Sequence, residues 1–430
     1  MRVLIVGGGG REHAIIWKLT KSPKVSEIFC TPGNAGIAQH AQCVDIKAED
    51  IEGICKFAVD KNIDLAVIGP EVPLSMGIVD RLEENGIKVF GPNAKCAQLE
   101  GSKAFTKAFL DRHNIPTARY KEFTDKQELL NAVGIYGYPM VIKADGLAAG
   151  KGVIIAENEK DAVEAIEEMM GQKVFGSAGD KVVVEEFLTG IEASVLCFVD
   201  QHTILPMESA QDYKRIFDGD KGPNTGGMGT YSPSLIFTPK LEKQINDEIL
   251  QPTLAGFQKD GLDFKGVLFI GLMISQKGPR VIEFNNRFGD PETQSILYRM
   301  NSDLLDIFLA VTDNKLSDIQ INWSNKKAVC IVLASGGYPG SYDKGEEITG
   351  LDQVDKDVMV FHAGTASAHV CNENSCGMAT VTNGGRVLGI TALGDTHEEA
   401  RSKAYANVEK ISFSGMQHRN DIGFVDKSLI

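Results

Sequence analysis

The chain has 430 residues, 43% of them hydrophobic and 24% charged, with a formal net charge of −14. That length is too great for one ordinary core and predicts two to four subdomains. The acidic balance argues against a nucleic-acid groove or an anionic membrane surface as the main partner, so any bound anion must be held by local lysines, arginines and backbone amides.

The first predicted strand is RVLIV, followed by GGGGREHAIIWKLTKS, a glycine loop opening a helix, and by a second strand, SEIFC. DLAVIGP and IKVFGP read as further strands, separated by a helix around SMGIVDRLEENG. Short apolar strands alternating with helices predict an open parallel α/β sheet. The start shows no basic n-region and no long apolar segment, and the eight cysteines include no C-x-x-C pair and no zinc spacing. Buried cysteines in a reducing, cytoplasmic compartment are the expectation.

SKAFTKAFLDRHNIP is an amphipathic helix ended near Pro116. A smaller unit follows over about 120–190: YPMVIKAD, KGVIIAE, an acidic helix with its apolar stripe at Ala162, Ile166, Met169 and Met170, then DKVVVEEFL. The glutamates of that helix form a solvated face. The hairpin GVLFIGLMISQKGPRVIEFNNRF turns at Lys277-Gly278-Pro279. A fresh strand, AVCIVLAS, starts the last subdomain, which closes with the helix HEEARSKAYANVEKI.

Several stretches carry the residue types that chemistry needs. VIKADGLAAGKGVII is not a Walker A loop: only three residues separate Gly146 from Gly150, Gly152 follows Lys151, and a strand rather than a helix comes next. It reads as a hairpin with Lys143 on one arm and Lys151 at the tip. GGGGREH fails G-x-G-x-x-G in every register, which excludes a dinucleotide loop. A phosphate cradle and a plain tight turn both remain for it.

In VIEFNNRF, strand alternation places Glu283, Asn285 and Arg287 on one face and Ile282, Phe284 and Phe288 on the other. A carboxylate and an amide oxygen two residues apart are hard ligands for Mg²⁺, and a guanidinium beside them suits a phosphoryl oxygen. An ordinary Glu–Arg contact on a half-exposed strand is the alternative. Lys143 lies inside an apolar strand, where a lysine needs a partner. Lys103 starts a helix, where its charge opposes the helix dipole unless an anion is near. By spacing alone VVVEEFLTGIE is a strand end facing water; its backbone could also serve an adenine. SAQDYKRIFDGDKGPNTGGMGTYSP is a long glycine-rich loop suited to cover a small polar substrate.

Taken together, VGGGGREHA, PGNAG, GPEVPL, EGSKAF, KADGLAAGKGV, EEFLTGIEAS, AQDYKR, GPNTGGMG, EFNNRFGDPETQ, TNGGRVLGIT and RNDIG resemble the ATP-grasp superfamily. Within it they resemble the phosphoribosylamine–glycine ligase family of purine biosynthesis, over the whole length. The resemblance implies an N-terminal open parallel α/β substrate-binding domain (1–100), an ATP-grasp core (101–325) with a small mobile lid subdomain at about 120–190, and a C-terminal mixed α+β subdomain (326–430). It implies ATP as co-substrate with Mg²⁺ or Mn²⁺ on Glu283 and Asn285, and Lys103 and Lys143 on phosphate under a lid tip that includes Gly150, Lys151 and Gly152. Glu185, Glu186 and Leu188 would line the adenine and Glu192 the ribose.

Asp212, Lys214, Asn224, Thr225 and Arg287 fall in the acceptor region, with Lys214 and Arg287 as the catalytic pair. Gly9, Gly10, Asn34 and Ala35 would hold 5-phosphoribosylamine. The implied reaction joins glycine to that amine through a glycyl phosphate. Transient contact with neighbouring purine-pathway enzymes is a further expectation. Another ATP-grasp ligase or carboxylase, and a nucleotide sensor without turnover, are the competing readings. Asn286, often alanine in the family, and the segment VCNENSCGM depart from the pattern; the Asn286 side chain is expected to point away from the metal face.

Overall fold

A computed structural model describes residues 1–147, 152–372 and 375–424. At the N-terminus, strands β1 (Arg2–Gly7), β2 (Glu27–Pro32), β3 (Gln42–Cys43), β4 (Leu65–Ile68) and β5 (Lys88–Phe90) form one parallel sheet in the order β3-β2-β1-β4-β5. Val3, Leu4, Ile5 and Val6 of β1 are fully buried, because helices cover both faces of a parallel sheet. The strand ends therefore carry the connecting loops: Gly8-Gly9 after β1, Gly33-Asn34-Ala35 after β2 and Gly69-Pro70-Glu71 after β4.

The region expected to form the lid is a second sheet of β6 (Tyr120–Phe123), β7 (Met140–Ala144), β8 (Val153–Ala156) and β9 (Val182–Glu186), in the order β6-β9-β7-β8. Its inner face packs on the helix Glu159–Ile166 and the helical turn Glu167–Gly171 that continues it, through Ala162, Ile166 and Met169, as the stripe predicts, with Met170 packed alongside.

Strands β10 (Ile191–Val199) and β11 (Ile204–Pro206) belong to the core sheet. The expected long loop over 209–233 is instead organised into β12 (Gln211–Asp212), β13 (Arg215–Phe217), β14 (Lys221–Asn224) and β15 (Gly229–Ser232). Strands β13 and β14 pair as a hairpin. Strands β16 (Gly266–Ser275) and β17 (Gly278–Asn285) complete the core sheet, in the order β11-β10-β16-β17.

The last unit contains β18 (Lys327–Ala334), β19 (Val358–His362), β20 (Thr365–Asn372), β21 (Ser375–Thr382) and β22 (Arg386–Gly394), closed by the helix His397–Val408. Its main sheet runs β12-β15-β18-β22-β19, while β20 and β21 form a separate ribbon. Two strands from before residue 326 thus sit in the C-terminal sheet. Among the described residues no helix is long and apolar enough to cross a membrane.

Candidate active site

The lid sheet, the helix Lys103–Arg112 and strand β17 meet at one cleft, lined by Lys103, Lys107, Lys143, Glu185, Ile282 and Glu283. Lys143 is buried and finds the partner its position demands: its Nζ lies 2.8 Å from Glu185 Oε1 and donates to the Ile282 carbonyl at 3.3 Å. The other Glu185 oxygen is 2.9 Å from Lys107 Nζ, which also donates to Thr117 Oγ1 at 2.8 Å. Burial pushes the Glu185 carboxyl up, but Lys143 and Lys107 outweigh it and hold the group below the usual carboxylate range. Burial pushes Lys107 down to about 8, against the pull of Glu185.

The Glu185 carboxylate is thus enclosed by two ammoniums. Glu186 is engaged likewise, accepting from Arg119 Nε at 2.7 Å and Arg280 at 3.1 Å. The backbone of Phe187 and Leu188, between β9 and β10, makes no backbone–backbone hydrogen bond among the described residues. Unpaired N–H and C=O groups on a strand-to-strand link are what the edge of a purine requires. Glu192, at the start of β10, faces solvent and pairs with Lys214 at 2.9 Å.

Strand β17 departs from simple alternation. The register jumps from Gly271↔Glu283 to Leu272↔Val281, leaving Ile282 as a bulged residue. Val281 and Phe284 therefore enter the core together, and Ile282 stays outside that cluster at the cleft, which Phe284 also borders. The bulge also frees the Ile282 carbonyl that Lys143 meets. Burial would raise the Glu283 carboxyl, but Lys103, Lys214 and Lys143 bring it down to about 2, aided by a hydrogen bond from Asn285. An ionised carboxylate with an amide oxygen beside it fits a hard divalent cation. No group of three or more His, Cys, Asp or Glu among the described residues could hold a metal. A cation held by Glu283 and Asn285 would need its remaining oxygens from elsewhere, as a phosphate-bound Mg²⁺ has them.

Arg287 does not share that face. Its guanidinium lies 3.4 Å from both Glu71 and Glu100 and donates to the Phe288 carbonyl. Arg11, absent from the sequence reading, donates to the same carbonyl at 3.1 Å and approaches Glu71 at 3.6 Å. Two guanidiniums thus meet where the N-terminal sheet joins the core. The Asn286 amide donates to the Cys96 and Ala97 carbonyls, away from Glu283, as expected.

Asp212 Oδ1 is buried without a hydrogen-bond partner among the described residues. Burial, then the nearby Glu292, pushes the Asp212 carboxyl well above its ordinary range. Lys214 stays charged: Glu192, Glu283 and Asp212 overcome its burial and raise it. Asn224 is exposed on β14, and the Thr225 hydroxyl donates to the Lys214 carbonyl at 2.8 Å.

At the N-terminal loop, the Gly9 amide donates to Glu12 Oε2 at 2.6 Å. A Cβ on Gly10 would stand 2.4 Å from Gln294 Nε2, and one on Gly8 would stand 2.6 Å from the Gly33 carbonyl. The glycine run thus serves close packing at least as much as anion approach. Asn34 donates to the carbonyls of Gly8 and His362 at 2.9 Å and accepts from Gly36 and Ile37. Its side chain holds the loop in place; Ala35, beside it, is half-buried. Gly150 and Lys151, assigned to the lid tip, lie outside the described residues, and Gly152 follows at the base of β8.

Sequence reasoning missed Lys107, Arg11, Glu71 and Asp145. Asp290 accepts from Gln294 at 2.8 Å, and its carbonyl accepts from Arg386 at 2.6 Å, tying the C-terminal sheet to the core. A lysine four residues after Lys103 carries no signal in an amphipathic helix, since such positions are ordinarily exposed.

A four-stranded sheet over a bulged core strand, whose carboxylate and amide are met by lysines from a helix start, from that sheet and from the loop after β12, defines an ATP-grasp enzyme. Three family profiles match in succession: the N domain of phosphoribosylglycinamide synthetase over residues 1–100, its ATP-grasp (A) domain over 101–293 and its C domain over 328–425. The phosphoribosylamine–glycine ligase of Caldanaerobacter subterraneus subsp. tengcongensis is 50% identical over 422 residues, 98% of this chain and 99% of that one. That of Vibrio parahaemolyticus is 51% identical over 428 residues, 99% and 98% of the two chains. The crystal structure of the Thermotoga maritima phosphoribosylamine–glycine ligase superposes with a TM-score of 0.84 at 35% identity, covering 98% of this chain and 100% of that one. The chain belongs to the phosphoribosylamine–glycine ligase family.

Proposed function

We propose that the protein joins glycine to 5-phosphoribosylamine at the expense of ATP, giving glycinamide ribonucleotide, ADP and phosphate. The observation that carries the reading is the convergence of Lys103, Lys143 and Lys214 on ionised Glu283, in a chain of this family. Lys103, Lys107, Lys143 and Lys214 face Glu185, Glu192 and Glu283, so four ammoniums against three carboxylates leave a surplus of positive charge, which a polyphosphate supplies with counter-charge.

In this reading Lys103 and Lys143 contact the β- and γ-phosphates. Glu185 and Lys107 hold Lys143 in place, and Glu186 fixes the lid strand through Arg119 and Arg280. The backbone at Leu188 meets the adenine and Glu192 the ribose. Gly150, Lys151 and Gly152 close over the phosphates. Mg²⁺ or Mn²⁺ on Glu283 and Asn285 would neutralise charge on the transferring phosphoryl group.

Glycine binds beside Asp212, Lys214, Asn224 and Thr225. Its carboxylate oxygen attacks the γ-phosphorus and ADP leaves. The amine of phosphoribosylamine, held near Gly9, Gly10, Asn34, Ala35 and Arg287, attacks the acyl carbon. The C–O bond breaks and phosphate departs. Lys214 and Arg287 spread the developing charge, and lid closure keeps water from the acyl phosphate. No side-chain nucleophile is required. A cytoplasmic location and transient contact with enzymes that supply the unstable amine belong to the same reading.

The test is product analysis: protein, ATP, a divalent cation, glycine and phosphoribosylamine yield glycinamide ribonucleotide and ADP in equal amounts. ADP formation indifferent to glycine would remove the reading.

A further inference from the structure

Lys103 occupies the first position of the helix Lys103–Arg112, where an ammonium opposes the positive end of the helix dipole. An acceptor from the lid meets this helix start. Asp145, immediately after β7, accepts from Ser102 Oγ at 2.9 Å and from the Ala104 amide at 3.0 Å. The Ser102 hydroxyl in turn accepts from the Phe105 amide at 3.0 Å. Two of the orphan amides at this helix start are thus satisfied, one by its own cap and one by a carboxylate from another sheet. Lys181, also on the lid, stands 3.7 Å from the second Asp145 oxygen, and the Asp145 amide donates to the Lys181 carbonyl at 2.9 Å. Asp145 is therefore held from the lid side and spans to the helix side. It lies two residues from Lys143 in sequence and one residue beyond the Lys103 amide in space.

We propose that Asp145 is a positioning residue for nucleotide binding, fixing the start of the helix Lys103–Arg112 to the lid strand so that Lys103 and Lys143 address the same polyphosphate. The proposal rests on the reading of this cleft as the ATP site. Asp145 Oδ1 already takes both hydrogen bonds from the helix start, and Oδ2 faces Lys181 at 3.7 Å, so the residue acts through Lys103 and Lys143 and not on the nucleotide. Without the carboxylate the Ala104 amide loses its acceptor, the first turn frays and Lys103 loses its fixed base. The Lys143–Glu185 pair is untouched.

The experiment compares wild type with Asp145→Ala and Asp145→Asn. It measures direct MgATP binding by calorimetry, steady-state ligation and amide hydrogen exchange. Asp145→Ala is expected to weaken ATP binding and raise the KM for ATP about tenfold, the scale of one lost charge-assisted contact. The KM for glycine should stay within twofold and the melting temperature within a few degrees, with exchange faster at 103–106. Asp145→Asn retains an oxygen that can accept both hydrogen bonds, so it should recover most of the ATP affinity and the exchange protection. Wild-type ATP affinity in Asp145→Ala would overturn the proposal. So would equal losses in the two variants, which would show that charge and not acceptor geometry matters. Unchanged exchange at 103–106 would also overturn it. Absence of MgATP binding by the wild type would instead remove the underlying reading of the cleft.

Discussion

Glu185 stands between Lys143 and Lys107, 2.8 Å from the first and 2.9 Å from the second, with all three side chains buried. One carboxylate thus compensates two ammoniums from different sheet and helix layers. A buried ion pair contributes little net stability, but removing one member leaves an uncompensated charge. Glu185→Gln leaves two lysines facing each other and is expected to cost about 3–5 kcal/mol, read by urea unfolding. Lys143→Met leaves Glu185 with Lys107 and should cost less, while weakening ATP binding more. Equal stability of Glu185→Gln and wild type would contradict the burial of this triad.

Glu283→Gln should lower kcat about 100-fold, the scale of losing one transition-state electrostatic contact. It also leaves Lys103, Lys214 and Lys143 without their shared carboxylate, so the empty variant should melt earlier than wild type. Saturating ATP with divalent cation should narrow that gap, because the polyphosphate restores the counter-charge. Turnover near wild type at saturating metal would assign Glu283 to structure alone.

Much of this site was legible in the sequence, for identifiable reasons. The apolar run Val3–Val6 announces a strand buried on both faces. Glu283 and Asn285 stand out as polar residues alternating in an otherwise apolar strand. Ile282 could not be placed, because a bulge depends on the partner strand β16 and not on local pattern. Lys107 looked like any charged residue of a surface helix until the lid covered it. The segment 209–233 read as loop because glycines and short β stretches hide its strands: β12 pairs with β15, β13 with β14, and β15 is anchored on β18, a hundred residues later. Asp145 was passed over since a lone aspartate after a strand is usually a turn residue.

Acid should weaken the contact between the first and last units. Burial, then His40, pushes the His362 imidazole down to about 4. Burial, then His362 and His40, lowers His13, whose Nδ1 accepts from the His362 amide at 2.8 Å. In the unfolded chain such groups titrate near about 6.5. The folded state binds fewer protons between the two values, so stability is full above about pH 6.5 and is lost as pH falls toward 4. His362→Gln removes that titration. The wild-type loss between pH 7 and pH 5 should exceed the variant's by about 2 kcal/mol in urea unfolding. Parallel pH profiles would contradict the buried neutral imidazole.

Gly8→Ala places a methyl group 2.6 Å from the Gly33 carbonyl, a backbone atom that cannot swing aside. Overpacking of this kind costs about 1–3 kcal/mol. Gly101→Ala meets nothing within 4 Å and should be neutral or slightly stabilising. Thermal melts of the two variants check the contrast, and equal melting temperatures would remove the packing role of the first glycine loop.

The central claim is that the glycine carboxylate itself takes the γ-phosphoryl group. Glycine labelled with ¹⁸O in both carboxylate positions tests this directly, with the released phosphate read by mass spectrometry after one round of ligation. The account predicts one ¹⁸O in each phosphate formed and none in ADP, because the oxygen that attacks phosphorus leaves with it when the amine displaces the acyl phosphate. Unlabelled phosphate alongside full formation of glycinamide ribonucleotide would contradict it.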